Sequence, residues 1–278
     1  MMKAIPIDTK PLFKPLNRKL LTLLKSLSAE EWQYQTVAKK WKVKDVASHM
    51  LDTQLRVLSI QRDGYFGEAP PKVNGYEDMV HWLNQLNDDW VVATRRLSPS
   101  TIILLLESIG DLVSEYFLSL DPWEKSIFPV AWAGQSISYN WMHIAREYTE
   151  YWHHQQQIRA AVGKEGIMTR ELFYPFINTF FQALPHTFKE VPATEGTVVK
   201  ATITSNAGGD WYLRKTSENW TFDVKPDAEP QASVVIPIAL SWVLFSKSVR
   251  PYDEIDKVIL KGDLKLAKKV LEMVAVMA

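Results

Sequence analysis

Along roughly the first 165 residues, apolar side chains return every three or four positions, the period of a helix with one buried face. Phe13, Leu16, Leu20, Leu23, Leu24 and Leu27 mark a first helix. A second begins near Val43, carries Val46, Met50 and Leu58 on one side, and ends before Gly64, where the Gly67–Ala69–Pro70–Pro71 stretch predicts a loop. A third runs from about Tyr76 to Arg96, and the strongly apolar Thr101–Leu120 is a fourth. Ile127 to Ile137, with Pro129, Gly134 and Ser136, reads as an extended excursion. Ser138 to Val162 is a further helix closed by Gly163.

Beyond Gly163 the pattern changes. Thr169 to Glu190 predicts more helix, rich in Phe, with Pro175 and Pro185 expected to kink or interrupt it. From Thr197 the period is two. Val199–Ala201–Ile203 alternates with polar residues, Asn206 to Gly209 is a turn, and strands follow at Trp211–Leu213, Trp220–Val224 and Ala232–Ile236. Pro237–Ser246 is a short helix, Lys257–Lys261 a last strand and Leu264–Val276 a last helix. The chain therefore divides into a helical first part and a small α+β second part, with the boundary between Lys164 and Gly196.

Composition narrows the function classes. Of 278 residues 46% are hydrophobic and 23% charged, a globular balance. Lys+Arg and Asp+Glu are 32 each, so the basic excess of a nucleic-acid binder is missing. No apolar run approaches the roughly 20 residues of a membrane-spanning helix, and no signal-peptide pattern opens the chain, so a soluble cytoplasmic protein is expected. With no Cys at all, disulfides, thiolate zinc sites and a cysteine nucleophile are excluded. The 11 Trp call for large aromatic packing units, and Trp132, in the excursion, is a candidate pocket wall.

Three of the six His lie on the 138–162 helix. At 100° per residue, His143, Glu147, Glu150 and His154 share a narrow stripe along the edge of the apolar face of Ile144, Tyr148, Tyr151, Trp152 and Ile158, and His153 points away and is expected to be solvated. Glu150 and His154 are four apart, so a carboxylate oxygen and an imidazole nitrogen meet on one face. His49 sits on the second helix beside Val46 and Met50. Opposite Glu150 and His154 in an antiparallel pair, it would complete a set of two His and one carboxylate, a recognised donor set for a divalent metal with open positions.

The stretch Trp41-x-Val43-x-Asp45-Val46-Ala47-x-His49, followed by Glu150-x-x-x-His154-x-x-x-Ile158-Arg159-x-Ala161-x-Gly163, resembles the DinB-like metal-binding family and, within it, the mycothiol-dependent maleylpyruvate isomerase branch. The resemblance implies a mainly α protein: a four-helix bundle over 1–165, a connecting helix over 166–195, and a sterol-carrier-like α+β domain over 196–278. It also implies one divalent metal, zinc first and nickel as the alternative, on His49, Glu150 and His154. Gln157 departs from the pattern, since the family usually has Asp there. The branch uses an Arg of the second domain facing the metal, for which Arg250 is the candidate by position, ahead of Arg214.

A site with a metal and no cysteine can work on an exogenous low-molecular-weight thiol, as a transferase or a cis–trans isomerase. The rival readings are a metal-dependent hydrolase on the same residues, and a binding protein in which the metal is structural and the second domain carries an apolar ligand. The partners expected are a small-molecule substrate and a small thiol, with no nucleic acid and no membrane. Oligomeric state is open, a dimer included. Among the remaining candidates, Glu147 is placed to support the metal set, His143 to be a hydrogen-bonded bundle residue and Arg159 to form an interhelical or surface salt bridge.

Overall fold

The computed structural model describes residues 4–67, 72, 75–226 and 228–276. It divides into two compact units: the chain up to Ile127 with Tyr139–Ile167, and Phe128–Ser138 with the chain from Met168 on.

The first unit holds α1 (Phe13–Lys25), α2 (Val43–Arg56), α3 (Tyr76–Thr94), α4 (Pro99–Ser119) and α5 (Asn140–Val162). Its starts and stops follow from local chemistry. Ser98 caps α4 by accepting from the Thr101 N–H at 3.2 Å, with Pro99 behind it at the first helical position, where no N–H is needed. Gly163, at φ +66°, ends α5 in the left-handed conformation that closes helices. Beyond Arg56, α2 widens into a π turn over Val57–Arg62. Helices α1, α2, α4 and α5 pack on one another and α3 lies on α2. Leu20, Val46, Met50, Ile102, Leu106 and Ile158 meet in the core, at helical spacing on four different helices.

Helix α5 is buried on nearly every side, His153 included, and that corrects the expectation of a solvated His153. A helical wheel assumes one solvent face. A helix covered on more than one side buries its polar residues too, and these must then find hydrogen bonds.

In the second unit the 128–138 segment is irregular, with one 3₁₀ turn at Ala131–Ala133, and Trp132 is buried with its ring 6.5 Å from that of Phe180. Helix α6 (Arg170–Phe181) passes through Pro175 without interruption, and Thr179 donates its hydroxyl to the Pro175 carbonyl. Helix α7 (Leu184–Phe188) begins with Pro185 in its first turn. Five strands, β1 (Val198–Ile203), β2 (Gly209–Lys215), β3 (Trp220–Asp223), β4 (Ala232–Ile236) and β5 (Ile259–Gly262), form one sheet in the order β3-β2-β1-β4-β5. Only β1 and β4 run parallel. The Trp211 ring on β2 stacks on Phe181 at 4.0 Å, tying the sheet to α6. Gly262, at φ +72°, lies where a Cβ would strike the Gln231 carbonyl. Helix α8 (Ile238–Leu244) follows β4, and α9 (Leu264–Val270) stops well before the expected Val276. The chain leaves the helix because Ala275 donates its N–H to Phe245 O at 3.1 Å, burying Met273, Ala275 and Val276. Among the described residues, no helix is long and apolar enough to cross a membrane.

Candidate functional site

The motif that opens α2 is a helix start, position by position. Lys42 is the N-cap, with extended backbone, and its N–H donates to Asp45 Oδ2 at 3.0 Å, half of a capping box. Trp41, the residue before the cap, packs on the apolar cluster that contains Val46, in the manner of a hydrophobic staple. One turn further on, His49 is buried. Its Nδ1 is wholly enclosed and, among the described residues, has no hydrogen-bond partner. Burial holds its pKa well below the ordinary histidine range, and the neighbouring His154 and Arg56 lower it further, so the ring is neutral at neutral pH.

Helix α5 brings the other two candidates to the same place. The rings of His49 and His154 meet edge to face at 4.7 Å. Glu150 Oε2 is 3.4 Å from His154 Nε2, one turn away on the same face. Gln157 Oε1 lies 2.9 Å from His154 Nδ1. With a proton on Nδ1 donated to that amide oxygen, Nε2 is the ring nitrogen turned towards the Glu150 carboxylate. In that tautomer an imidazole nitrogen and a carboxylate face each other as two donors beside the ring of His49, the chemistry of a set that accepts a cation. Among the described residues, no three His, Cys, Asp or Glu side chains already stand in metal-holding geometry. The donor types fit a divalent ion, and closing on one requires side-chain adjustment.

His143 and Glu147, on the same stripe, belong to a separate network. His143 Nε2 lies 2.8 Å from Gln61 Oε1, Gln61 Nε2 donates to Glu147 Oε1 at 2.9 Å, and Arg146 reaches both residues. Gln61 arrives there on the π turn, which a reading at a period of 3.6 does not foresee. Burial raises the Glu147 carboxyl pKa, but Arg146, His143 and Gln61 outweigh that and hold it below the usual range. Burial, then Arg146, pushes His143 down to about 4 against the pull of Glu147. A histidine kept neutral in the fold binds its proton only on unfolding. The stability this represents is fully present above 6.5, its ordinary value, and is lost as pH falls towards about 4. The full effect is of the order of 3 kcal/mol. Replacing His143 with Gln is therefore expected to flatten the dependence of the urea midpoint on pH between about 7 and about 4.5, and an unchanged slope would contradict the assignment.

Among the described residues Arg159 makes no salt bridge, contrary to the expectation. It is buried and donates to Gln155 Oε1 and to the carbonyls of Lys19, Lys164 and Glu165. Arg250 is exposed, at the start of a 3₁₀ helix over Pro251–Lys257 in the second unit. Arg214 is engaged by Asp223. Two residues at the site went unassigned in the sequence: Trp41, whose ring is 4.7 Å from His49 and 6.5 Å from His154, and Gln157, which carries a signal only as a departure from the family pattern.

The family model of the mycothiol maleylpyruvate isomerase N-terminal domain matches residues 13–159, more than half of the chain. A crystal structure of the mycothiol-dependent maleylpyruvate isomerase superposes with a TM-score of 0.54 at 10% identity, covering 91% of each chain. A histidine-to-alanine mutant of that isomerase does so at 0.53, with the same identity and coverage. The Aedes aegypti sterol carrier protein 2 like 2 structure aligns with 35% of this chain and 95% of its own at 19% identity, with a TM-score of 0.27. A sequence comparison with curated proteins gives no match. With residues 13–159 matched, the chain belongs to the family of the mycothiol maleylpyruvate isomerase N-terminal domain.

Proposed function

We propose that this protein is a metal-dependent isomerase that works with a small-molecule thiol of the mycothiol kind. The observation that carries this reading is His154 lying against both His49 and Glu150 in a chain that has no cysteine of its own. A divalent ion held by these three residues, zinc or else nickel, would lower the pKa of a thiol bound beside it. The reaction class is isomerisation of a cis double bond by reversible addition and elimination of the thiol, which is recovered unchanged. The two imidazoles contribute neutral nitrogens and Glu150 the only charge, which leaves a metal site net positive. Gln157 keeps His154 in one tautomer and one orientation, and Trp41 covers His49. We assign Arg250 to the substrate, as a planar cation suited to bidentate contact with a carboxylate.

The reading is tested by following maleylpyruvate by NMR with purified protein, with and without mycothiol and divalent metal. Conversion that needs both supports it. Isomerisation indifferent to thiol would remove the thiol from the reading, and hydrolysis of an added ester in place of isomerisation would replace it with a metal-dependent hydrolase.

Two further outcomes are expected. Gln157→Leu should weaken metal binding by about 10- to 100-fold with little change in melting, as read by calorimetric titration. Arg250→Ala should slow the thiol-dependent reaction by roughly 10- to 150-fold at unchanged metal content, the loss of one charge-assisted contact made in the transition state. A rate within about twofold of the parent would remove Arg250 from the reaction.

A further inference from the structure

The two histidines of the site are held in different ways. His154 has a hydrogen bond from Nδ1 to Gln157 that fixes its ring. His49 has nothing of the kind, since its Nδ1 is buried without a partner. Metal-binding histidines ordinarily depend on such a bond for their orientation. What His49 has instead is packing: the His154 ring at 4.7 Å, edge to face, and the Trp41 ring at 4.7 Å, tilted by 42°. A 180° turn of an imidazole about its last side-chain bond exchanges its two nitrogens. The turn sweeps through space that these two rings occupy.

Trp41 is itself held firmly. Its carbonyl accepts from Gln35 Nε2 and from Thr36 Oγ1, both at 2.8 Å, and from the Thr36 N–H at 3.3 Å. Its own N–H donates to Ala38 O at 2.8 Å. Gln35 Nε2 lies within 3.3 Å of the carbonyls of Thr36, Ala38 and Lys39 as well, so one amide gathers the whole 35–41 turn. Val43 then donates to Tyr34 O at 3.0 Å, and the half capping box at Lys42 starts α2 at once. Together these bonds fix the backbone of the 34–43 segment. Its geometric result is an indole standing over the imidazole of His49.

We propose that Trp41 is the positioning residue for His49, replacing by aromatic packing the hydrogen bond that this histidine lacks, so that one ring nitrogen is permanently presented to the metal set. The inference rests on the metal reading only for its consequence. The orientation of His49 is a property of the metal-free protein.

The test uses the full-length protein and two variants. Trp41→Phe keeps an aromatic face over His49. Trp41→Leu keeps an apolar anchor for the start of α2 but removes the flat ring, which limits any loss of folding. In ¹⁵N-edited NMR of metal-free protein, His49 is expected to give one sharp set of ring signals in the parent and in Trp41→Phe. In Trp41→Leu, exchange-broadened or doubled signals are expected. Zinc titration should give Trp41→Phe within about threefold of the parent and Trp41→Leu weaker by about 10- to 100-fold, with metal-free melting temperatures compared so that a general loss of stability is recognised. Sharp, single His49 signals in Trp41→Leu would overturn the inference, as would zinc affinity within about threefold of the parent. A parent that binds no zinc while the NMR contrast holds would overturn the metal reading and leave the positioning role standing.

Discussion

Replacing His154 with Ala is expected to take stoichiometric divalent metal, about one ion per chain, down to none, while His153→Ala leaves it in place. The two residues are neighbours in sequence, both are buried, and their rings are 5.4 Å apart, so composition and burial do not separate them. Direction does. His154 shares a face with Glu150 one turn earlier and meets His49 on α2. A step of 100° turns His153 out of that line. Losing one donor of three leaves an imidazole and a carboxylate, too few for a tight site of this class. His49→Ala should behave as His154→Ala does. His153 is enclosed, so its removal is expected to cost some stability, and metal content is therefore measured after dialysis on protein shown to be folded by circular dichroism. Metal lost with His153→Ala and kept with His154→Ala would reverse the assignment.

The largest expected effect on stability is at Arg159. Its guanidinium gathers three backbone carbonyls and the Gln155 amide oxygen from both sides of the last turn of α5, joining α1 to the segment after Gly163. A cation here also faces the negative end of the α5 dipole. Gly166, at φ +149°, leaves the space for it: a Cβ there would stand 2.8 Å from Arg159 Nη1. Arg159→Ala removes these charge-assisted hydrogen bonds together, and at about 1.5–3 kcal/mol for each of the better-buried ones a loss of about 3–5 kcal/mol is expected. Arg159→Lys should recover little of it, because a point ammonium cannot span the same acceptors. Urea unfolding of parent and variants measures this. A loss under about 1 kcal/mol would show that the carbonyls find water instead. Rate per folded, metal-loaded molecule should stay near the parent's, which separates a structural arginine from a catalytic one.

How much of this was legible in the chain varied with the physics involved. Helices α1 to α5 could be read because apolar residues recur along each of them at helical spacing, and the strands because Val199, Ala201 and Ile203 alternate with polar residues. Glu150 and His154 stood out through a spacing that any helix converts into proximity, and the chain does bring His49 against His154. What could not be read depended on more than one element. The burial of His153 follows from what covers α5, which no single wheel contains. Gln61 reaches His143 and Glu147 only through a π turn. Trp41 lies outside α2 altogether, so periodicity is silent about it, although it opens the same motif as His49. The shortened α9 depends on a bond from Ala275 to Phe245, thirty positions away in the chain.

The central claim is that His49, Glu150 and His154 hold a divalent ion that binds the sulfur of a small thiol. X-ray absorption at the zinc edge of the loaded protein, before and after adding mycothiol, measures it most directly. Before addition, the spectrum is expected to contain only nitrogen and oxygen neighbours at about 2.0–2.2 Å, two of them with the scattering signature of imidazole. After addition, one sulfur neighbour should appear at about 2.3 Å. Since the chain has no cysteine, that sulfur can come only from the thiol or from one of the 8 Met, and the spectrum without thiol excludes the latter. An unchanged shell of nitrogen and oxygen after addition of the thiol would contradict the account.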